Sequence, residues 1–170
     1  RGYAVDMVLL SATGEFLPEL LPEVRVVDLK VNRIRWAIFP LVRYLRGAQP
    51  SVVLACMWPL TVIALWARVF ARVPIRLVVA EHTTWSMSEL LERPTVGWQI
   101  RSSMHRFFPK ADGIVAVSEG AADDLAQFAR LDRAAISTIY NPIVGETSGQ
   151  STVPPREPQA WCAGAHRRIL

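Results

Sequence analysis

The segment 111–142 constrains the fold of this chain more than any other stretch. It begins with Ile114–Val117, an apolar run rich in β-branched residues that is too short for a helix and predicts a buried strand. Ser118 follows at once and has the side chain of a good helix N-cap. A second predicted strand, Ala135–Tyr140, ends at Asn141-Pro142, where proline removes a backbone donor and favours a turn. Strand, helix and strand make one βαβ unit, which predicts a parallel sheet.

The rest of the chain continues this alternation of strands and helices. Further strands are predicted at Tyr3–Leu10, Val24–Leu29, Ser51–Cys56 and Ile75–Ala80, and helices at 32–46, Leu60–Ala71 and Val96–Phe108. Pro40 is expected to kink or restart the first of these helices. Residues 1–145 are therefore predicted to form an α/β, Rossmann-like domain with a parallel sheet flanked by helices. In such sheets ligands bind beyond the C-terminal ends of the strands, where Ser118 and Asn141 are expected to lie.

Composition and charge limit the partners of this domain. Of the 170 residues, 51% are hydrophobic and 20% charged, so the chain can bury a core and is not disordered. The formal charge is +4 and most basic side chains are arginines, which suits a phosphate-bearing ligand or an anionic membrane surface. A merely solvated basic surface explains the charge equally well. Because the arginines are scattered and no nucleic-acid-binding signature occurs, no nucleic-acid partner is expected.

The two cysteines, Cys56 and Cys162, stand far apart and predict neither a disulfide framework nor a metal cluster. A cytoplasmic location is therefore expected, with a position at the inner face of the membrane as a variant, and no metal or other cofactor is expected. The apolar stretch Val52–Ala67 is interrupted by Pro59 and falls short of the roughly 20 unbroken apolar residues of a membrane span. It is better explained by a buried strand followed by a helix.

The composition changes after Val144. Gly, Ser, Thr and Gln are followed by Pro154, Pro155 and Pro158, which predicts a linker. The chain also opens at Arg1 rather than at Met, and it stops as an apolar run begins. We therefore expect a fragment of a longer protein, in which residues 146–170 are a linker and the start of a further domain.

Several short motifs occur in a fixed order along the chain. They are Gly2-Tyr3-Ala4-Val5-Asp6, Glu81-His82-Thr83, Ala111-Asp112-Gly113, Val117-Ser118-Glu119-Gly120, Asp124-Leu125 and Ile139-Tyr140-Asn141-Pro142. In this order and spacing the chain resembles the N-terminal half of the glycosyltransferase family 4 enzymes, which have the two-domain GT-B architecture. The resemblance extends over nearly the whole chain, and it does not specify any one sugar.

The resemblance implies transfer of a sugar from a nucleotide-sugar donor to an acceptor hydroxyl, with retention at the anomeric carbon. It assigns a sugar or lipid-linked acceptor to the N-terminal domain. The nucleotide and a pair of glutamates are assigned to a C-terminal domain that would follow Leu170. The first strand and its glycine-rich loop would precede Arg1, so the chain by itself is expected to be inactive.

His82 is the leading candidate for a catalytic residue. An imidazole beside a transferring sugar can donate a hydrogen bond to a hydroxyl or relieve charge near the leaving phosphate. The resemblance implies a histidine that faces the cleft at this strand end, whereas a plain loop histidine would bond only backbone or water. The flanking Glu81 and Thr83 are candidates for substrate binding, although Glu81 could instead orient the imidazole or face solvent.

Ser118, Glu119 and Asn141 are further candidates for substrate binding. Free N–H groups at a helix start attract a phosphate or a sugar hydroxyl. Ser118 can equally be a plain N-cap, and Glu119 a charge that complements the helix dipole. Asn141 is expected at the cleft rim or in a turn without ligand contact. A hydrolase nucleophile elbow is not favoured, because Ala116 occupies the place of its first glycine.

A function of another class is a non-catalytic binding or peripheral membrane module that kept the fold. The arginines of segment 33–46, beside Trp36 and Phe39, could form a basic face for anionic lipid headgroups. A surface helix that simply covers the sheet is the alternative for this segment. A nucleotide-sugar epimerase on the same architecture is disfavoured by the motifs around His82 and Asn141.

Overall fold

The computed structural model describes residues 4–88 and 94–141. The strands of this part are β1 (Val5–Leu9), β2 (Val24–Asp28), β3 (Val52–Cys56), β4 (Arg76–Glu81), β5 (Gly113–Ala116) and β6 (Ile136–Thr138). Its α-helices are α1 (Ile38–Ala48), α2 (Leu60–Ala71), α3 (Pro94–Phe107) and α4 (Glu119–Ala129). Every predicted strand and helix has a counterpart, and the largest difference lies at the start of α1.

All the strand pairs are parallel, and they form two sheets. β1 pairs with β2, whereas the other four strands form a sheet in the order β3-β4-β5-β6. The predicted α/β, Rossmann-like fold is confirmed, but the strands are divided where the sequence predicts a single sheet. Among the described residues, β1 and β3 each have one edge without a partner strand, so no strand joins the two sheets.

The helices cover one face of the four-stranded sheet. α2 contacts β3 and β4, α4 contacts β5 and β6, and α3 contacts both of these helices. Along β4, Leu77 and Val79 are fully buried while the alternate residues Arg76 and Val78 are more exposed, as expected for a strand covered on one face. The other fully buried apolar side chains of this core include Ile100, Met104, Phe108 and Leu125.

Asp6 ties the two-stranded sheet to α1. Its carboxylate accepts hydrogen bonds from the Tyr44 hydroxyl (2.7 Å) and from Nε of Arg25 on β2 (2.9 Å). The Arg25 guanidinium and then the Tyr44 hydroxyl hold the pKa of Asp6 below its usual value. Burial, helped by Asp6, raises the pKa of Tyr44 to about 12. Because α1 packs on α2, these contacts connect β1 and β2 with the main core.

α1 starts later than the sequence predicts. A short 3₁₀ turn occupies Ile34–Ala37, and the α-helix begins at Ile38, so that Pro40 lies in its first turn. Proline is tolerated there, because the N–H groups of the first turn have no partner within the helix. Pro40 is thus accommodated by a restart of the helix, which is one of the two outcomes that the sequence predicts.

The chain divides into two compact units, 1–140 and 141–170. Of the second unit only Asn141 is described, so the predicted linker at 146–170 lies outside the described residues. Across the described ranges, the helices are all too short or too polar to cross a membrane. The apolar stretch Val52–Ala67 falls on β3 and most of α2, as predicted.

Candidate functional site

The register of β4 and β5 brings two of the predicted site segments together. Glu81, the last residue of β4, pairs with Ala116, the last residue of β5. His82 and Ser118 follow these two residues by one and two positions, so both lie just beyond the C-terminal edge of the sheet. This edge is where parallel α/β sheets bind their ligands.

His82 is exposed and Thr83 is half-buried. The loop that carries them continues into a 3₁₀ turn, Trp85–Met87, in which the Trp85 side chain is only 3% exposed. The His82 imidazole therefore faces solvent while the loop behind it is packed into the core. Such a side chain can donate a hydrogen bond to a ligand without first being uncovered.

Glu81 points the other way and is 1% exposed. Its carboxyl accepts a hydrogen bond from the Thr61 hydroxyl on α2 (3.2 Å) and one from the backbone N–H of Trp58 (3.4 Å). Burial raises the pKa of Glu81 to about 7, and the bonds from Thr61 and Trp58 oppose that rise. Glu81 is thus a buried carboxyl that takes up a proton near neutral pH.

Asp124 on α4 holds the other end of the loop. One of its carboxylate oxygens accepts the backbone N–H of Trp85 at 2.5 Å, and both accept that of Ser86 at 3.2 Å. The indole ring of Trp85 also stacks on Phe128 of the same helix, with ring centroids 5.8 Å apart. The loop after β4 is therefore fixed at its start by Glu81 and at its end by Asp124.

Ser118 is the N-cap of α4, as the sequence predicts. Its hydroxyl accepts the backbone N–H of Ala121 at 3.1 Å. Glu119 is exposed and forms an ion pair with Arg133, whose Nε also donates to Asp123 at 2.5 Å. The Ser118 hydroxyl thus already accepts a backbone N–H of its own helix. The Glu119 carboxylate lies at the surface beside the Arg133 guanidinium.

The turn after β3 completes this edge of the sheet. Met57 has a left-handed backbone conformation (φ 65°), is 53% exposed, and donates its N–H to the carbonyl of Ala80. Trp58 follows; its indole N–H donates to the Ser103 hydroxyl at 3.1 Å and its ring meets that of Trp85 edge-on. Non-glycine residues with positive φ are uncommon and concentrate at functional sites.

Two other motif residues lie away from this edge. Asp112 stands at the opposite, N-terminal end of β5, where it accepts the N–H of Leu77 at 2.7 Å and pairs with Arg68. It therefore joins α2, β4 and β5 and has a structural role. Asn141 is exposed and belongs to the second unit, so its role in substrate binding stays a prediction.

Three polar residues near the edge have surroundings that sequence reasoning does not predict. Thr61 lies in an apolar helix and gives no sequence signal for its bond to Glu81. Asp124 belongs to one of the sequence motifs, but the motif gives no signal that its carboxylate binds the loop after β4. Thr138 pairs with Ala116 in the sheet, and its buried hydroxyl has no hydrogen-bond partner among the residues that the structure describes. Residues 4–88 and 94–141 contain no group of three or more His, Cys, Asp or Glu placed to hold a metal ion.

Comparisons with known proteins concern the family and the fold of this chain. The family model described as Glycosyltransferase Family 4 matches residues 1–145. Among solved structures, the chain is similar to the crystal structure of Anabaena HepE in complex with UDP and glucose, with a TM-score of 0.56 and 21% sequence identity. That match covers 80% of this chain and 36% of the HepE chain, so it supports the fold alone. A comparison with curated proteins found no match. Because the family model covers most of its length, the chain belongs to glycosyltransferase family 4.

Proposed function

We propose that this chain is the acceptor-binding half of a retaining glycosyltransferase, which moves a sugar from a nucleotide-sugar donor to an acceptor hydroxyl. The observation that carries the proposal is the exposed imidazole of His82 at the C-terminal edge of the sheet, on a loop held at both ends. An imidazole so placed can donate a hydrogen bond to a sugar hydroxyl or to a leaving phosphate. The crystal structure of HepE contains UDP and glucose, and this supports a nucleotide-sugar as the donor in our proposal.

The other candidate residues take roles around His82 in this proposal. Thr83 and the first turn of α4, with Ser118 and Glu119, form the wall that receives the acceptor. The backbone N–H groups of that turn and the Glu119 carboxylate are suited to sugar hydroxyls. Asn141 stays a candidate for the rim of the cleft. Glu81 is buried, so its contribution to substrate binding is indirect.

The remaining parts of the enzyme are assigned to segments beyond this chain. The nucleotide and the paired glutamates belong to a C-terminal domain after Leu170. The expected first strand, before Arg1, fits the unpaired edges of β1 and β3. With that strand between them, the order of the first six strands becomes 3-2-1-4-5-6, which is the doubly wound order of dinucleotide-binding folds.

The test of this function is a transfer assay on the intact enzyme, with the reading frame recovered on both sides. We expect transfer from a nucleotide-sugar to a sugar or lipid-linked acceptor, and retention of configuration when the product is followed by proton NMR. The 170-residue chain in the same assay is expected to transfer nothing. Transfer by this chain alone would contradict the assignment of the donor site to the C-terminal domain, and an inverted product would contradict the retaining mechanism.

A second candidate function is docking to an anionic membrane surface. Trp36 and Phe39 are 53% and 66% exposed, and their rings stack with centroids 6.0 Å apart. Arg33, Arg35 and Arg43 are exposed around them, with the Arg35 guanidinium 5.8 Å from the Trp36 ring. Exposed aromatic rings surrounded by arginines suit the headgroup region of anionic bilayers.

The double variant Trp36→Ala/Phe39→Ala tests this docking function. In sedimentation with phosphatidylserine-containing vesicles, we expect the 170-residue chain to bind and the double variant to lose about tenfold or more in affinity, because each buried methylene contributes about 0.8 kcal/mol. Trp98→Ala, which removes a ring that is 69% exposed on α3, is the control and should bind normally. Equal binding by the wild type and the double variant argues against this surface.

A further inference from the structure

We propose that Glu81 is a positioning residue, which fixes the Trp58 turn and the start of α2 against the end of β4 and thereby sets the place of His82. This role rests on the proposed function, because it concerns how the acceptor edge is built.

The start of α2 has no capping group of its own. Its N-cap residue is Pro59, whose side chain cannot accept a hydrogen bond, and its first turn has no acidic residue. The first turn of a helix therefore usually depends on groups from outside the helix to hold it in place. Glu81 provides such a group from the neighbouring strand, because its carboxyl accepts the Thr61 hydroxyl of the first turn and the N–H of Trp58, which precedes the N-cap. The backbone N–H of Thr61 donates to the Met57 carbonyl (3.3 Å).

Glu81 is the last residue of β4. Glu81 and His82 are consecutive, and consecutive residues at a strand end point to opposite sides. Glu81 is 1% exposed while His82 is exposed. Anchoring the Glu81 side chain in the core therefore fixes the backbone that carries the imidazole.

The turn between β3 and α2 lies beside the end of β4. Two bonds hold it to the end of β4, one from Met57 N–H to the Ala80 carbonyl (3.0 Å) and one from Trp58 N–H to Glu81 (3.4 Å). The Trp58 indole then reaches the Ser103 hydroxyl on α3. Displacing the Glu81 side chain would remove one of the two bonds that hold the turn, and it would also free the backbone that carries the imidazole.

The first experiment measures hydrogen exchange in the 170-residue chain. Glu81→Gln keeps the size of the side chain, but above pH 7, where exchange is compared, its amide offers one oxygen acceptor where the ionised carboxylate offers two. We expect the amides of Met57, Trp58, Leu60 and Thr61 to exchange at least about tenfold faster in this variant, the amount that follows from losing one net hydrogen bond. Glu19→Gln, the same change at an exposed position, is the control and should leave these amides unaffected.

The second readout is the dependence of stability on pH. Because the pKa of Glu81 is raised from 4.5 to about 7, the folded chain holds its proton more tightly than the unfolded chain. The contribution of Glu81 to stability is therefore fully present below pH 4.5 and falls as the pH rises toward 7. Glu81→Gln should abolish this dependence. Thr61→Val removes a bond that lowers the pKa of Glu81 in the folded chain, so it should extend the upper limit of this pH dependence to higher pH. Cys56 on β3 is the neighbouring titratable group, and burial and then Glu81 raise its pKa.

The third readout is turnover of the intact enzyme. A misplacement of about 1 Å can cost 10²-fold in rate, so Glu81→Gln is expected to lower kcat by about 10- to 100-fold while the KM for the donor stays constant. Faster exchange at the amides of Met57, Trp58, Leu60 and Thr61 with lowered kcat supports the positioning role. Unchanged exchange at these amides overturns it, whatever the turnover. If the intact wild type transfers no sugar, the proposed function fails, and exchange and pH dependence still decide whether Glu81 fixes the turn.

Discussion

Replacing His82 by alanine in the intact enzyme is expected to lower turnover by about 10²- to 10⁴-fold, the range typical of a group that acts by general acid–base catalysis. The loss follows from removing the ring nitrogen that donates to a sugar hydroxyl or to the leaving phosphate. Stability should hardly change, because the side chain is exposed and surface substitutions usually alter unfolding by less than about 0.5 kcal/mol. The measurement is kcat in a transfer assay, with urea unfolding of the same variant.

His105→Ala is the matched control for this prediction. His105 is an exposed histidine on α3, and its Nδ1 lies 3.1 Å from the Ala129 carbonyl at the far end of α4. Since α4 has 11 residues, that end is about 15 Å from the Ser118 cap. The control should keep normal turnover and lose only a little stability. Near-normal turnover in His82→Ala would remove His82 from the site.

Phe108→Ala is expected to lower the free energy of unfolding of the 170-residue chain by about 3–5 kcal/mol. Phe108 is fully buried in the main core, among side chains from α3, α4 and the sheet. Removing its ring leaves a cavity that rigid neighbouring elements cannot close. The measurement is the midpoint and slope of urea unfolding.

Phe16→Ala makes the same chemical change at a position that is 74% exposed. This substitution should lower the free energy of unfolding by less than about 0.5 kcal/mol, because the ring is already in contact with water in the folded chain. Similar losses in the two variants would mean that Phe108 is not part of a close-packed core.

Local sequence signals predict the elements of this fold well. The run Ile114–Val117 and the serine after it predict β5 and the start of α4, and the bond from Ala121 N–H to the Ser118 hydroxyl confirms the cap. These features depend on residues within one or two turns of each other, so periodicity and capping rules reach them. The start of α1 is predicted less well, because a 3₁₀ turn and an α-helix share similar apolar spacing.

The partners of the site residues could not be predicted in the same way. Glu81 is 20 residues from Thr61, and Asp124 is 39 residues from Trp85. Only the fold, which packs α2 on β4 and α4 on the turn Trp85–Met87, brings these groups together. The division into two sheets is not predicted for the same reason, since strand pairing depends on segments that are far apart in the sequence. The position of His82 at a strand end, by contrast, follows from the order of elements.

The unpaired edges of β1 and β3 have a practical consequence for work on the isolated chain. An open edge presents backbone donors and acceptors that can template pairing with another molecule. On β3 the hazard is increased by Val52 and Leu54, which are 56% and 62% exposed. Copies of this chain at high concentration therefore have a route to edge-to-edge aggregation. Charged substitutions at these two positions are the direct means of keeping preparations monodisperse.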